Sequence, residues 1–288
     1  LENCKIVRNA YAIEYDCINP MQLYPTLGFK DIEGLYSGGQ FNGSSGYEEA
    51  ACQGLMAGIN ACLKLEEKEP LVLRRDEAYI GVLIDDIITK GVRDPYRLLT
   101  SRAEYRLLLR NDNADIRLTK ISHGIGLASE ERYALTMKKY EEIDTLKEYC
   151  YTHNITADKA NPFLEEHGSA KISESKKISD LAARPEVNLG ELLKIVPRGT
   201  IEKEISESVE ISIKYSGYID RELKMAEKIQ KLENLIIPEN FDFDKVSGLT
   251  IECRQKFKKY SPRTIAQASR ISGVSPADIS VLLVYFGR

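Results

Sequence analysis

Ser37-Gly-Gly-Gln-Phe-Asn-Gly-Ser-Ser-Gly46, with the run that follows it, Tyr47-Glu-Glu-Ala-Ala-Cys-Gln-Gly-Leu-Met-Ala-Gly-Ile-Asn-Ala-Cys62, decides how this chain is read. The first ten residues hold too much glycine for regular structure. The next sixteen carry small residues at Ala50, Ala51, Gly54, Ala57, Gly58 and Ala61, which let a helix lie close to a neighbour. Upstream, Tyr11-Ala-Ile-Glu-Tyr-Asp16 alternates like a strand until Asn19-Pro20 breaks it. The predicted unit is therefore strand, glycine loop, helix. The first N–H groups of such a helix lack internal partners, and the macrodipole places partial positive charge beside them. Glycines let a flat or anionic group approach the backbone. A flavin suits the site, a phosphate suits it as well, and a purely structural glycine turn is equally compatible with the pattern.

The remainder reads as mostly helical. Ser101 and Glu104 have capping-box spacing and predict a helix to about Arg110, stopped by Asn111-Asp-Asn113. Its Arg102, Arg106 and Arg110 recur every four residues on one face, with Arg97 before them and Arg117 after. Such a ladder can meet successive phosphates, or pair with Glu104, Asp112 and Asp115. Ser129 predicts the start of a longer helix to about Tyr151, whose Tyr133, Met137, Tyr140, Ile143, Leu146 and Cys150 form one core-facing stripe. Residues 161–177 read as a loop, and Glu202 to Tyr215 as a strand or a helix start. Gly217 to Leu235 reads as an amphipathic helix with Ile219, Leu223, Ala226, Ile229 and Leu232 inward, ended by Pro238. In the tail, Ser275-Pro276 is an N-cap followed by proline at the first helical position.

Composition excludes several classes. With 288 residues, 43% hydrophobic, the chain can bury a sizeable core, and no apolar run is long enough to cross a bilayer. The six cysteines form no CxxC pair, which suits reduced, structural thiols, and the three histidines show no metal-ligand spacing. We expect no metal site. Net charge is −4, yet from Cys253 to Arg288 there are seven basic residues against one acid, Asp278. That basic end suits a local anionic partner or a solvated surface. A DNA-reading helix-turn-helix is disfavoured, because the second tail helix opens with Pro276, Ala277 and Asp278, poor base readers.

Longer wording is more specific than these patterns. GLYSGGQFNGSSGYEEAACQGLMAGINA, RRDEAYIGVLIDDIITKGVRDPYRLLTSRAEYRLLLRNDNADIRLT, IKYSGYIDREL, IPENFDFDKVSGL and SPRTIAQASRISGVSPADISVLLVYF resemble, in order, segments of the MnmG (GidA) family of tRNA wobble-uridine modification enzymes. The resemblance implies an α+β chain: the remnant of a two-domain FAD-binding flavoprotein fold over residues 1–69, a mainly helical tRNA-binding and linking region over 70–237, and a small helical module over 238–288 for tRNA and GTPase-partner docking. It implies that Gly39, Gln40, Asn42, Gly43, Gly46, Tyr47 and Glu48 line FAD, although Glu48 and Glu49 also suit the helix N-terminus on dipole grounds alone. It makes Arg97, Arg102, Arg106, Arg110, Arg117, Lys256, Lys259, Arg263 and Arg270 candidate tRNA contacts. Lys258 belongs to the same basic face of the tail.

The resemblance further implies a cytoplasmic homodimer working with the GTPase MnmE, with NADH as reductant and methylene-tetrahydrofolate as one-carbon source. No membrane and no DNA are expected partners. The GxGxxG fingerprint that holds a dinucleotide pyrophosphate is missing, since Gly38, Gly39, Gly43 and Gly46 have the wrong spacing. We therefore expect a C-terminal portion with no catalytic residue of its own and an incomplete flavin site. Two other readings are a non-catalytic RNA-binding module with a structural glycine loop, and the related folate-dependent tRNA uridine methyltransferase. The long helical segments after Pro238 count against the latter.

Overall fold

A computed structural model describes residues 4–11, 14–196, 198 and 201–287. The chain divides into two compact units. The first combines residues 1–75, 79–102 and 232–288, and the second combines 76–78 with 103–231. Ala12 and Ile13 of the expected first strand lie outside the described residues. Its described neighbours, Tyr11 and 14–16, form no strand. What anchors this region instead is a bond from the Ile18 N–H to the Phe41 carbonyl at 2.9 Å.

In the first unit, a 3-10 turn over Gly39–Asn42 leads into α1, Tyr47–Leu65. Helix α2, Tyr79–Lys90, follows. Val82, Leu83 and Ile87 of α2 are fully buried, each contributing about 1.5–3 kcal/mol by leaving water. Leu83 and Ile87 pack with Leu23, Leu27, Met56 and Tyr96 into one core.

The second unit is helical with one small sheet. Helices α3 (Ala114–Gly124) and α4 (Glu130–Thr152) come first. Ser129 caps α4 as its sequence predicts, its hydroxyl accepting from the Arg132 N–H. The C-terminal half of the predicted stripe is core: Ile143, Leu146 and Cys150 are buried among Leu164, Leu181, Leu189 and Val209 with Tyr140 packed against them, whereas Tyr133 and Met137 are only half-buried and stand outside that core. Strand β1, Asn154–Ile155, pairs antiparallel with β2, Lys176–Lys177. Between them α5, Ala157–Glu166, runs into the start of the segment expected to be a loop, carrying Pro162 inside it, while residues 167–175 are irregular as expected. Buried Ala160, Phe163 and Leu164 hold that helix to the core against the lost proline N–H. The short α6 (Ile178–Ala182) and α7 (Leu189–Leu192) precede α8, Lys203–Lys214, which settles the ambiguous segment as helix. Helix α9 is Ser216–Glu233. Ala226 is buried on it, but Leu223 is 45% exposed rather than inward.

The last three helices, α10 (Ile251–Tyr260), α11 (Ile265–Arg270) and α12 (Pro276–Tyr285), belong to the first unit and surround a core of Phe243, Cys253, Phe257, Ile265 and Leu282. Ser275 and Asp278 close a reciprocal capping box at the start of α12. No helix among the described residues is long and apolar enough to cross a membrane.

Candidate functional site

The glycine loop is held from beneath by a relay of buried polar side chains. The Ser37 hydroxyl donates to the Asn42 amide oxygen, and the Asn42 amide nitrogen donates to Gln53 at 2.9 Å. The Gln53 amide in turn donates to the Ser44 hydroxyl at 2.7 Å, and Ser44 donates to the Gly39 carbonyl at 2.9 Å. Asn42 and Gln53 are fully buried. Each polar atom in the relay thus finds a partner, which such groups need once they leave water. Gly43 turns the chain with φ of +81°, a left-handed conformation that a side chain would strain.

Two kinds of candidate flavin residues emerge. Gly39, Asn42, Gly43 and Gly46 are buried and shape the loop, whereas the side chains of Gln40, Tyr47 and Glu48 reach solvent. At the N-terminus of α1, Gly46 is the N-cap and supplies no side-chain acceptor. The opening N–H groups of α1 therefore have no side-chain cap, which fits an acceptor-rich planar group such as the pyrimidine edge of a flavin.

Glu49, one turn into α1, behaves differently from Glu48. It is 3% exposed, and its Oε1 accepts from the Leu98 N–H at 2.8 Å with the Arg97 Nε 3.8 Å away. Its Oε2 is buried without a hydrogen-bond partner, and a Cβ on Gly46 would fall inside this carboxylate. A side chain at position 46 would therefore have to displace the Glu49 carboxylate.

The expected arginine helix is not present. Thr100–Arg102 form a 3-10 turn, and 104–108 continue as turns. A tertiary acceptor competes with the helix: the Glu222 carboxylate on α9 takes the Leu107 N–H at 3.0 Å and shares the Leu108 N–H, at 3.3 Å, with the Tyr105 carbonyl at 3.0 Å. Arg102, Arg106 and Arg110 consequently share no helix face. The Arg102 guanidinium lies 4.3 Å from the centre of the Tyr96 ring. Arg106 is exposed. Arg110 forks onto Asp112, with Nε–Oδ1 and Nη2–Oδ2 both at 2.9 Å, and donates to the Leu107 carbonyl at 2.7 Å. Arg117 ties Asn113, the Arg110 carbonyl and the Glu77 carbonyl together.

Tyr96 itself is buried and donates to Asp86 Oδ2 at 2.8 Å. Burial, then the Asp86 charge, raises its pKa, keeping the phenol a donor. Burial also pushes Asp86 up, but Arg75, Lys90 and Tyr96 together outweigh it and hold the carboxyl below its ordinary value.

In the tail, Arg270 is largely enclosed: its Nη2 meets Asp85 at 2.9 Å and its Nη1 meets Glu233 at 2.6 Å. Lys256 pairs with Glu252 at 2.7 Å and donates to the Ser272 carbonyl. Lys259 and Arg263 remain exposed. Sequence reasoning passed over Glu222 and the Asp85–Arg270 pair, whose partners are distant along the chain, and over the Asn42–Gln53–Ser44 relay, which spans 11 residues but forms only once the loop folds back onto α1.

These features define a glycine-loop and helix unit joined to a mainly helical, locally basic chain, and comparison with known proteins places that class. Residues 1–69 match the family model described as glucose inhibited division protein A. Residues 130–223 match the MnmG/GidA C-terminal helical domain, and 225–288 its C-terminal helical bundle. The chain belongs to the MnmG/GidA family. It is 56% identical over 287 residues to the tRNA uridine 5-carboxymethylaminomethyl modification enzyme MnmG of Caldicellulosiruptor saccharolyticus, covering 99% of this chain and 46% of that relative. It is 53% identical to the protein of the same name from Flavobacterium psychrophilum, covering 100% of this chain and 47% of the relative. Aquifex aeolicus GidA in its form II crystal superposes with a TM-score of 0.81 at 46% identity, over 100% of this chain and 46% of that one. The chain thus spans about half the length of the curated relatives it matches.

Proposed function

We propose that this chain is the C-terminal part of an FAD- and NADH-dependent enzyme that, with the GTPase MnmE, adds a carboxymethylaminomethyl or aminomethyl group to carbon 5 of the wobble uridine of tRNA. The observation that carries this is the uncapped N-terminus of α1, presented by a loop fixed from beneath, in a chain more than half identical to relatives bearing that enzyme's name. The backbone at Gly46, Tyr47 and Glu48 and the exposed Gln40 would hold the flavin's polar edge, while Gly39, Asn42 and Gly43 fix the loop. When bound, FAD supplies the redox chemistry, reduced by NADH, and methylene-tetrahydrofolate supplies the carbon. This chain's own share is to orient the flavin edge and to present cations to RNA. Arg97, Arg106, Lys259 and Arg263, all exposed, are the stronger RNA candidates. Arg102, Arg110, Arg117, Lys256 and Arg270 spend part or all of their charge within the fold.

The working assembly in this reading is a cytoplasmic homodimer bound to MnmE. Residues 1–69 complete the FAD domain, 70–237 link it to RNA, and 238–288 dock tRNA and the GTPase. The 288 residues alone are expected to be inactive and colourless, and a stoichiometric yellow flavin spectrum of the purified chain would overturn the divided flavin site. Joined to the N-terminal half of a family relative, the chain should retain FAD, oxidise NADH and modify tRNA. Failure of that joined protein to retain FAD sinks the reading in favour of an RNA-binding module with a structural loop.

A further inference from the structure

Within the first unit, the turn after α10 faces the loop that carries Lys30. Ser261 there adopts a left-handed conformation at φ 44°, and Pro262 follows it into the Arg263 turn. Between them runs an open cleft of about 500 Å³ to which Lys30, Lys258 and Arg263 all contribute. The acids nearby do not neutralise these cations equally. Lys258 pairs with Asp244 at 2.5 Å, but Arg263 has only the distant, 86% exposed Glu239 at 3.9 Å. Lys30 has no carboxylate within ion-pair distance among the described residues. Its ammonium donates to the Met21 carbonyl at 2.6 Å and keeps its remaining protons for another acceptor. Burial, and then the Arg263 guanidinium, lower its pKa against the opposing charge of Asp31, so the two cations feel one another.

We infer that this cleft is a phosphate-binding site, formed by Lys30 and Arg263, for the backbone of an RNA strand. Two like charges converging with only the exposed Glu239 carboxylate among the described residues of the same cleft favour a shared anion, and a guanidinium beside an ammonium suits phosphate oxygens. A strand is favoured over a small phosphate because Lys30 also lines an adjoining open cleft of about 670 Å³, where Lys64 and Lys68 stand beside Asp31, Glu33 and Glu67, so the groove continues past one phosphate. Aromatic faces flank it. Tyr24 lies 5.4 Å beneath the Arg263 guanidinium, and Tyr260 lines the cleft wall. Stacking platforms beside cations are how single-stranded nucleic acid is held without base reading. This inference rests on the tRNA reading above, and it adds Lys30, which lies far from the basic tail in sequence.

The test is a titration of labelled tRNA with the 288-residue chain in rising potassium chloride, following anisotropy. Lys30→Gln with Arg263→Gln should weaken binding on the order of tenfold and flatten the log–log salt slope by about 1.5. The charge-preserving pair Lys30→Arg with Arg263→Lys should keep the slope. Lys245→Gln, removing an exposed lysine outside the cleft, should change it less. A double Gln variant that titrates like the parent overturns the inference, as does an equal effect from Lys245→Gln. Thermal melting with inorganic pyrophosphate separates the failures. If the parent binds no tRNA but is stabilised by pyrophosphate, and the double variant is not, the tRNA reading falls while the anion site stands. If pyrophosphate protection is lost in the double variant while tRNA binding is unchanged, the ligand is a small phosphate and the RNA assignment is overturned. With neither tRNA binding nor pyrophosphate protection, both fall.

Discussion

The carboxylate of Glu49 accepts the backbone N–H of Leu98 at 2.8 Å, bridging residues 49 positions apart in sequence. Through it the first turn of α1 is fastened to the segment that carries Arg97, so the candidate flavin loop and a candidate RNA contact share one buried anchor. The same carboxylate lies where a Cβ on Gly46 would have to go.

That crowding predicts non-additivity. Gly46→Ala should displace Glu49 and lower stability by about 1–3 kcal/mol, and Glu49→Ala should cost a similar amount by leaving the Leu98 N–H without its acceptor. The double variant should cost clearly less than the sum, because the displaced carboxylate is already gone. Urea unfolding of the four proteins in a double-mutant cycle measures the coupling, and additive costs would contradict the geometry.

Arg106 and Arg110 should separate RNA binding from folding. Arg106→Ala should leave the unfolding midpoint within about 0.5 kcal/mol of the parent. It should also flatten the salt slope of tRNA binding by about 1. Arg110→Ala should lower stability by about 1–2 kcal/mol, since it frees the partly buried Asp112 fork and the Leu107 carbonyl. Equal effects of both substitutions on tRNA binding, with no stability difference, would restore the case for a shared arginine face.

Arg270→Ala should act through the fold. Asp85 and Glu233 would lose the guanidinium between them, lowering stability by about 1–3 kcal/mol. The tRNA affinity of the fraction still folded should be unchanged. A loss of affinity with no change in the urea midpoint would instead place Arg270 at the RNA surface.

Asp278 sets an acid limit on the C-terminal module. Burial pushes its pKa up, but hydrogen bonds from the Ser275 hydroxyl and from the Thr250 and Ser275 N–H groups outweigh it and hold it at about 2. Because the folded value is depressed, the stabilisation is complete above the unfolded value of about 3.9 and disappears as pH falls toward 2. Asp278→Asn should therefore be less stable than the parent by about 1–2 kcal/mol at pH 7, with the gap closing between pH 4 and 2. Urea midpoints at a series of pH values check this, and a gap that persists at pH 2 would refute it.

By itself the sequence determined the features that depend on neighbours along the chain. The Ser129 cap, the Ser275–Asp278 box, the core stripe from Ile143 to Cys150 and the glycine loop opening onto α1 all stand where local pattern put them. Hydrogen-bond reach and the 3.6-residue period act over a few residues, so they can be read there. Only the tertiary structure decided the rest. Glu222 drew the Leu107 N–H, and a share of the Leu108 N–H, away from the expected arginine helix, and packing carried α5 through Pro162. Glu49 was drawn inward while its neighbour Glu48 stayed in solvent, and Lys30 was brought to Arg263 across more than two hundred residues. In each case the deciding partner is remote in sequence, and the energy of meeting it exceeds the local preference that the pattern expresses.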